Sequence, residues 1–146
     1  MLSRRSLLSA ALTLPLVACK GTAASADAPP GRCAHCGMKL DPSSAWLSER
    51  VLPDGKKLSY DTPRCALLAR AKDRAAGTLR VQDFYDRKWY DASELRFVTG
   101  SDVLGPMGPD LVPVDPARSA KFVQDHKGER ALRLDEISQT TLDDLK

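Results

Sequence analysis

Apolar and polar residues along the chain predict two strands followed by a helix. Residues 45–52 and 57–60 carry the apolar positions of the strands, and the Pro-Asp-Gly-Lys segment at 53–56 separates them. Because glycine accepts positive φ angles, this segment predicts a hairpin turn. Asp61-Thr62-Pro63 then predicts a helix start, with a capping side chain ahead of a proline in the first turn.

A third strand completes this first set of elements, and the same order is predicted again in the second half of the chain. Gly77 is the expected end of the first helix, and the strict alternation of residues 79–84 predicts a third strand. The second set consists of strands at 93–98 and 111–114, a helix opened by Asp115-Pro116 and closed by Gly128, and a strand at 131–135. We therefore predict an α+β domain of two pseudo-symmetric ββαβ units, followed at 138–146 by a polar tail or a short terminal helix.

The first 18 residues predict a signal peptide of the bacterial lipoprotein type. Arg4 and Arg5 precede an apolar stretch at 7–18, which is shorter than the 20 or so residues that span a bilayer. Leu-Val-Ala-Cys at 16–19 resembles a lipobox, in which cleavage before Cys19 frees its sulfur for a lipid. An ordinary secretory signal is the alternative. The arginine pair also resembles a twin-arginine signal, so both export routes stay open.

Composition and charge describe what remains after such cleavage. Residues 19–31 are rich in Ala, Ser, Gly and Pro and predict a flexible, lipidated tether, while residues 32–146 form one small domain. The net charge of +3 for the whole chain falls to about +1 without residues 1–18, which contain two arginines and no acids. This balance predicts no nucleic-acid partner. The lipid on Cys19 is expected to hold this domain at a bacterial membrane, inner or outer.

The Cys33-Ala34-His35-Cys36-Gly37-Met38 segment is the first candidate site. Thiolates, thioethers and imidazoles are ligands that suit Cu(I). Other interpretations are half of a zinc site, a thioredoxin-like redox pair, or a plain disulfide between the two cysteines. Met38 also fits a core-filling role.

Two more candidate ligands lie in the second half of the chain. Met107 stands in Gly-Pro-Met-Gly-Pro, a rigid loop sequence that favours contact with a ligand or partner. His126 falls on the inward face of the second helix, where it fits either a metal ligand or a satisfied core residue. Cys65 lies on the apolar face of the first helix and is expected to act as a small buried hydrophobe. We find no nucleophile paired with a base, so no enzyme is predicted.

These motifs, in their order, resemble one known family. The resemblance rests on Cys19, on Cys-x-x-Cys-Gly-Met at 33–38, on Trp-Tyr-Asp-Ala at 89–92, on Phe-Val-x-Gly-Ser at 97–101, on Gly-Pro-Met-Gly at 105–108, on Leu-Val-Pro at 111–113 and on Leu-x-Leu-Asp-Glu-Ile at 132–137. Together they resemble the NosL family. The resemblance implies a periplasm-facing lipoprotein that binds Cu(I) for the maturation of nitrous oxide reductase. It also implies a mixed site of Met107, a cysteine of the 33–36 motif and, next, His126.

The sequence therefore predicts a Cu(I) chaperone. Its candidate ligands are Met107, Cys36, Cys33, His126 and Met38, with either cysteine of the motif fitting and with His35 and Cys65 left open. The expected partner is nitrous oxide reductase or its membrane-associated maturation complex, and the protein is expected to be a monomer or a weak dimer. The alternatives are a thiol–disulfide oxidoreductase using Cys33 and Cys36, and an adaptor lipoprotein without a metal.

Overall fold

Strands and helices alternate through residues 31–74 and 76–145, the part of the chain that the computed structural model describes. The first half contains β1 (Ser48–Val51), β2 (Lys57–Tyr60), α1 (Pro63–Asp73), β3 (Thr78–Gln82) and β4 (Trp89–Asp91). The second half contains β5 (Arg96–Thr99), β6 (Leu104–Gly105), β7 (Gly108–Pro109), β8 (Val112–Val114), α2 (Pro116–Asp125), β9 (Arg130–Leu132) and α3 (Gln139–Asp143). Short 3₁₀ turns cover Ala92–Glu94 and Leu134–Glu136. The signal peptide and most of the tether predicted from the sequence lie outside the described residues.

Each half builds one antiparallel sheet with the same internal order. The first sheet has the strand order β2-β1-β3-β4 and the second has the order β8-β5-β9. The earliest strand of each sheet is therefore flanked on both sides, β1 by β2 and β3, and β5 by β8 and β9. The predicted α+β class is confirmed, and this order is compatible with the predicted pair of ββαβ units. The second half also contains a separate two-stranded hairpin, β6–β7, between its first two sheet strands.

The local signals in the sequence locate the turns and the helix starts. The predicted hairpin is present, with Ser48 opposite Tyr60 and Val51 opposite Lys57. Its first strand is shorter than predicted, because residues 45 and 46 form a turn and the sheet begins only at Ser48. Helix α1 begins at Pro63 with Thr62 as its cap, and α2 begins at Pro116 with Asp115 as its cap, as predicted.

Both long helices end before Gly77 and Gly128, the glycines at which the sequence predicted their ends. Helix α1 stops at Asp73, because Arg74 takes a left-handed conformation (φ 50°) and its N–H donates to the Arg70 carbonyl, 3.0 Å away. Helix α2 stops at Asp125, ahead of Gly128. Left-handed residues are common helix terminators, and a non-glycine residue there is the less frequent solution.

The larger of two buried clusters joins the two halves. It contains Leu67 and Val81 from the first half together with Phe97 and Leu111 from the second. Of the two alternatives for residues 138–146, the short helix is correct and the polar tail is wrong, because Leu142 and Leu145 are 3% and 6% exposed in this cluster. The smaller cluster, Val98, Val112, Val114 and Phe122, lies within the second half.

Helices of the described residues are all too short or too polar to cross a bilayer.

Candidate metal centre

The Cys-x-x-Cys segment forms a closed loop ahead of the first sheet. Arg32 and Lys39 pair as an isolated antiparallel bridge at its base. Inside it, the Cys33 N–H donates to the Met38 carbonyl at 2.8 Å, and the Gly37 N–H donates to the Cys33 carbonyl at 2.9 Å. Gly37 has a φ of 77°, a conformation that a side chain disfavours, so the turn needs glycine at this position.

A backbone hydrogen bond fixes this loop to the sheet. The Ala34 N–H donates to the Ser59 carbonyl of β2 at 2.9 Å. Because α1 follows β2 after two residues, the loop comes to lie beside the first turn of that helix. Cys33 is buried, with 2% of its surface exposed, whereas Cys36 on the outer part of the loop is exposed.

Cys65 completes a group of three thiols. It lies in the first turn of α1, where its N–H donates to the Thr62 hydroxyl at 3.2 Å. The sulfur atoms of Cys33, Cys36 and Cys65 lie within 4.8 Å of one another. The predicted burial of Cys65 is confirmed, at 3% exposed, but its sulfur faces the other thiols rather than hydrocarbon alone. Its position in the first turn of α1 is the one sequence signal that could have singled it out, because helix N-termini favour thiolates, although in the metal-free group the Cys65 thiol is the protonated partner of Cys33.

Met107 brings a thioether from the second half. The segment around Met107, predicted to be a rigid loop, forms the β6–β7 hairpin, and Met107 stands in its turn. The Met107 Sδ lies 3.9 Å from the Cys65 Sγ, and half of the Met107 surface stays exposed. Gly108, with a φ of 97°, lets the chain turn back immediately after this residue. We call Cys33, Cys36, Cys65 and Met107 the sulfur cluster.

His126 lies at the end of α2, in different surroundings. Its Nδ1 is 3.2 Å from a carboxylate oxygen of Asp102, and its ring packs on Phe122 with centroids 4.4 Å apart. It does not belong to the group of mutually close thiols. This is the environment of the satisfied histidine that the sequence offered as the alternative.

The remaining candidates of the first loop contribute through their backbones. Met38 accepts the Cys33 hydrogen bond with its carbonyl, while 41% of its surface is exposed. His35 is exposed, and its backbone N–H is one of the groups near the Cys33 sulfur.

The three thiols differ in acidity. A hydrogen bond from the Cys65 thiol, with backbone N–H groups of Cys36 and Asp61, lowers the pKa of Cys33 despite its burial. Donating that hydrogen bond, together with burial, raises the pKa of Cys65. Burial is the main cause that raises the pKa of Cys36. The metal-free group therefore favours one thiolate, at Cys33, next to two protonated thiols.

Sulfur dominates the chemistry of this group. Among residues 31–74 and 76–145, no imidazole or carboxylate joins the three thiols at mutual ligand distance. Such a donor set suits soft, thiophilic ions and is a poor match for Mg²⁺ or Ca²⁺, which require oxygen ligands.

Comparison with known proteins agrees with the motifs of the sequence. The family model for NosL matches residues 28–142. The chain belongs to the NosL family. Its structure is similar to the crystal structure of the copper chaperone NosL from Shewanella denitrificans, with a TM-score of 0.64 and 19% sequence identity over 75% of this chain and 90% of that one. At this identity the likeness shows a common fold. A search among curated proteins gave no match.

Proposed function

We propose that this protein is a copper chaperone that holds Cu(I) in the sulfur cluster. The observation that carries this proposal is the convergence of three cysteine sulfurs within 4.8 Å, with the Met107 thioether 3.9 Å from one of them. Thiolate and thioether ligands select Cu(I) over hard cations. Membership of the NosL family and the likeness to a copper chaperone structure support the same function.

The different exposure of the ligands suits transfer of the ion. Cys33 and Cys65 are buried, whereas Cys36 and Met107 reach the surface. An acceptor protein approaches the exposed pair first and replaces these ligands one at a time, while the buried thiols hold the ion until the exchange is complete. A closed tetrahedral Cys₄ site would lack an exchangeable thioether and would retain its metal.

Anaerobic titration with Cu(I) in the presence of a competing chelator tests this proposal. The reduced protein is expected to bind one Cu(I) per chain, and to keep it when Zn²⁺ is added in excess. Absence of a tight one-to-one complex would remove the chaperone function and would favour the adaptor interpretation. Preferential binding of Zn²⁺ would instead indicate a structural metal site.

A thiol–disulfide oxidoreductase is the second candidate, because three thiols lie within reach of one another. Its attacking thiol needs both solvent access and a lowered pKa. Here the thiol with the lowered pKa, Cys33, is buried, and the exposed thiol, Cys36, has a raised pKa. We therefore rank this function second. Rapid, copper-independent turnover of a disulfide substrate would reverse that order.

The membrane anchor belongs to the proposal as well. Residues 1–18 have the form of a lipoprotein signal peptide, and Cys19, directly after them, is the proposed lipid acceptor. A lipid anchor on the periplasmic side would keep the cluster near a membrane-bound acceptor and raise its effective concentration. In fractionated cells, Cys19→Ser is expected to move the protein from the membrane to the soluble fraction, whereas Cys65→Ser leaves it on the membrane.

The proposed client is nitrous oxide reductase, reached directly or through its membrane-associated maturation complex. This step rests on what the NosL resemblance implies, and a monomer or weak dimer suffices for it. Cells without this protein are expected to lose nitrous oxide reductase activity at low copper. The intact gene should restore the activity, and a Cys65→Ser version should not.

A further inference from the structure

A buried carboxylate connects the β6–β7 hairpin to the first turn of α1. Asp110 follows the hairpin directly and is 3% exposed. Its Oδ1 accepts the N–H of the next residue, Leu111, at 2.8 Å, and the N–H of Arg64 at 3.1 Å. Arg64 is 46 residues away in sequence, so this second bond ties two distant segments together.

The first turn of α1 thereby receives two caps. Thr62 supplies the local one, accepting the N–H of Cys65, and Asp110 supplies the other, accepting the N–H of Arg64. The first N–H groups of a helix have no partner within it and favour negative charge. The Arg64 side chain adds a second tie to the same segment, since its Nη1 lies 3.4 Å from the Pro109 carbonyl oxygen.

The hairpin packs closely on this carboxylate. A methyl group at Gly105 would lie 3.3 Å from the Asp110 Cβ, tighter than an ordinary carbon–carbon contact. The hairpin has two residues in each strand and forms its own two-stranded sheet. Because isolated two-stranded hairpins are marginally stable, its position depends on such outside contacts.

We propose that Asp110 is a positioning residue that holds the Met107 thioether against the sulfur of Cys65. Asp110 stands three residues after Met107, and its partner Arg64 immediately precedes Cys65. The carboxylate therefore connects the backbones that bear the two sulfur atoms, which lie 3.9 Å apart. This inference rests on the proposed copper site for its consequence, but the positioning itself exists without metal.

Burying the Asp110 carboxyl destabilises the folded state, and a side chain that only capped the helix would not need to be buried. Burial raises the pKa of this carboxyl to about 6, although the Thr62 hydroxyl and the N–H groups of Leu111 and Arg64 favour its ionised form. Its Oδ2 is buried without a hydrogen-bond partner among the described residues. Unpaired buried polar atoms destabilise a fold. Thr62 and Asp115 show that this protein also caps helices with side chains nearby in sequence.

The first test uses the Met107 methyl signal in NMR spectra of the reduced, metal-free protein. Asp110→Ala is expected to move this signal towards the value of a free methionine, whereas Asp110→Asn, which keeps an oxygen acceptor, leaves it in place. Met38, half-exposed in the other loop, is the internal reference and should not move. Gly105→Ala keeps the Asp110 carboxyl but adds a methyl group that presses on Asp110 from the hairpin, and it is expected to move the Met107 signal as well.

The second test measures Cu(I) affinity in the same variants. Asp110→Ala is expected to weaken binding about as much as Met107→Ala, roughly tenfold, and the double variant no further. Asp83→Ala is the matched control, because Asp83 is also buried and also accepts backbone N–H groups, but those of Tyr85, Asp86 and Asp115.

The two tests separate the positioning role from the copper site. An unchanged Met107 signal in Asp110→Ala, losses of affinity that multiply in the double variant, or an equal loss in Asp83→Ala would each overturn the role of Asp110. If the unaltered protein binds no Cu(I), the proposed function fails, and the NMR comparison still decides whether Asp110 positions Met107.

Discussion

At the scale of single residues, the sulfur cluster depends on atoms that are distant in sequence and different in exposure. Cys33 precedes the β1–β2 hairpin in sequence, Cys65 follows it, and both are buried. The Ala34 N–H, which donates to the Ser59 carbonyl, and the Thr62 hydroxyl, which accepts the Cys65 N–H, bring the two sulfurs together. Cysteine packs as readily as a small hydrophobe. Its burial alone therefore gives no indication of ligand function, and the neighbouring sulfur atoms do.

Substitution of single ligands tests these assignments. Cys65→Ser is expected to weaken Cu(I) binding by about tenfold or more, as are Cys33→Ser and Cys36→Ser. His126→Ala should change the affinity by less than about twofold, because its ring contacts Asp102 and Phe122 instead. Chelator competition under anaerobic conditions measures the affinities, and circular dichroism checks the fold. A tenfold loss of Cu(I) affinity in His126→Ala would indicate that the histidine is a ligand.

The buried carboxyl of Asp110 predicts a pH dependence of stability. Its pKa is raised from 3.8 to about 6, chiefly by burial. A carboxyl with a higher pKa in the folded state binds its proton more tightly there. Its contribution is therefore fully present below pH 4 and is lost as the pH rises through 6. The loss amounts to about 3 kcal/mol at most.

Comparison with Asp110→Asn isolates this effect, because other titrating groups cancel in the difference. Between pH 4 and pH 7, the difference in free energy of unfolding should shift towards the variant by up to about 3 kcal/mol. Urea denaturation of the reduced protein at several pH values measures it. A difference that stays constant across this range would show that the carboxyl is not desolvated.

At the scale of elements, the side chains that cap α1 and α2 are expected to contribute equally to the stability of the fold, but only the cap of α1 contacts a proposed copper ligand. Thr62 caps α1 through the N–H of Cys65, and Asp115 caps α2 through the N–H of Ala117. Replacing either by alanine should lower the free energy of unfolding by about 1 kcal/mol. Only Thr62→Ala is expected to weaken Cu(I) binding, by about tenfold, because it frees the backbone of a ligand.

Thermal unfolding and copper titration of this matched pair provide the measurement. Equal affinities in the two variants would mean that the first turn of α1 does not control the geometry of the cluster.

Local signals in the sequence account for many of the elements. Asp-Gly at 54–55 and the Thr-Pro and Asp-Pro pairs act through short-range turn and capping chemistry, so the hairpin and both helix starts were predictable. The helix ends were not, because Arg74 terminates α1 in a left-handed conformation that its side chain does not favour. The β6–β7 hairpin was also missed, since its strands are too short to show any alternation.

At the scale of the whole molecule, the candidate site joins the two halves. The first half contributes three cysteines, the second contributes Met107, and a buried cluster that includes Leu67 and Phe97 holds the halves together. From the sequence, sulfur ligands were predicted, and the Cys-x-x-Cys motif and Met107 were identified as candidates. It did not indicate that Cys65 approaches them, because that contact depends on how the loop docks on β2. It also left His126 ambiguous, since its helical face is compatible with either role.

X-ray absorption on the Cu(I)-loaded protein tests the central claim most directly, because it counts the sulfur and nitrogen neighbours of the ion. We predict a shell of sulfur atoms alone, from the three cysteines and Met107, with Met107→Ala removing one neighbour. The multiple-scattering signature of a bound imidazole, persisting in Cys65→Ser and lost in His126→Ala, would contradict the all-sulfur site.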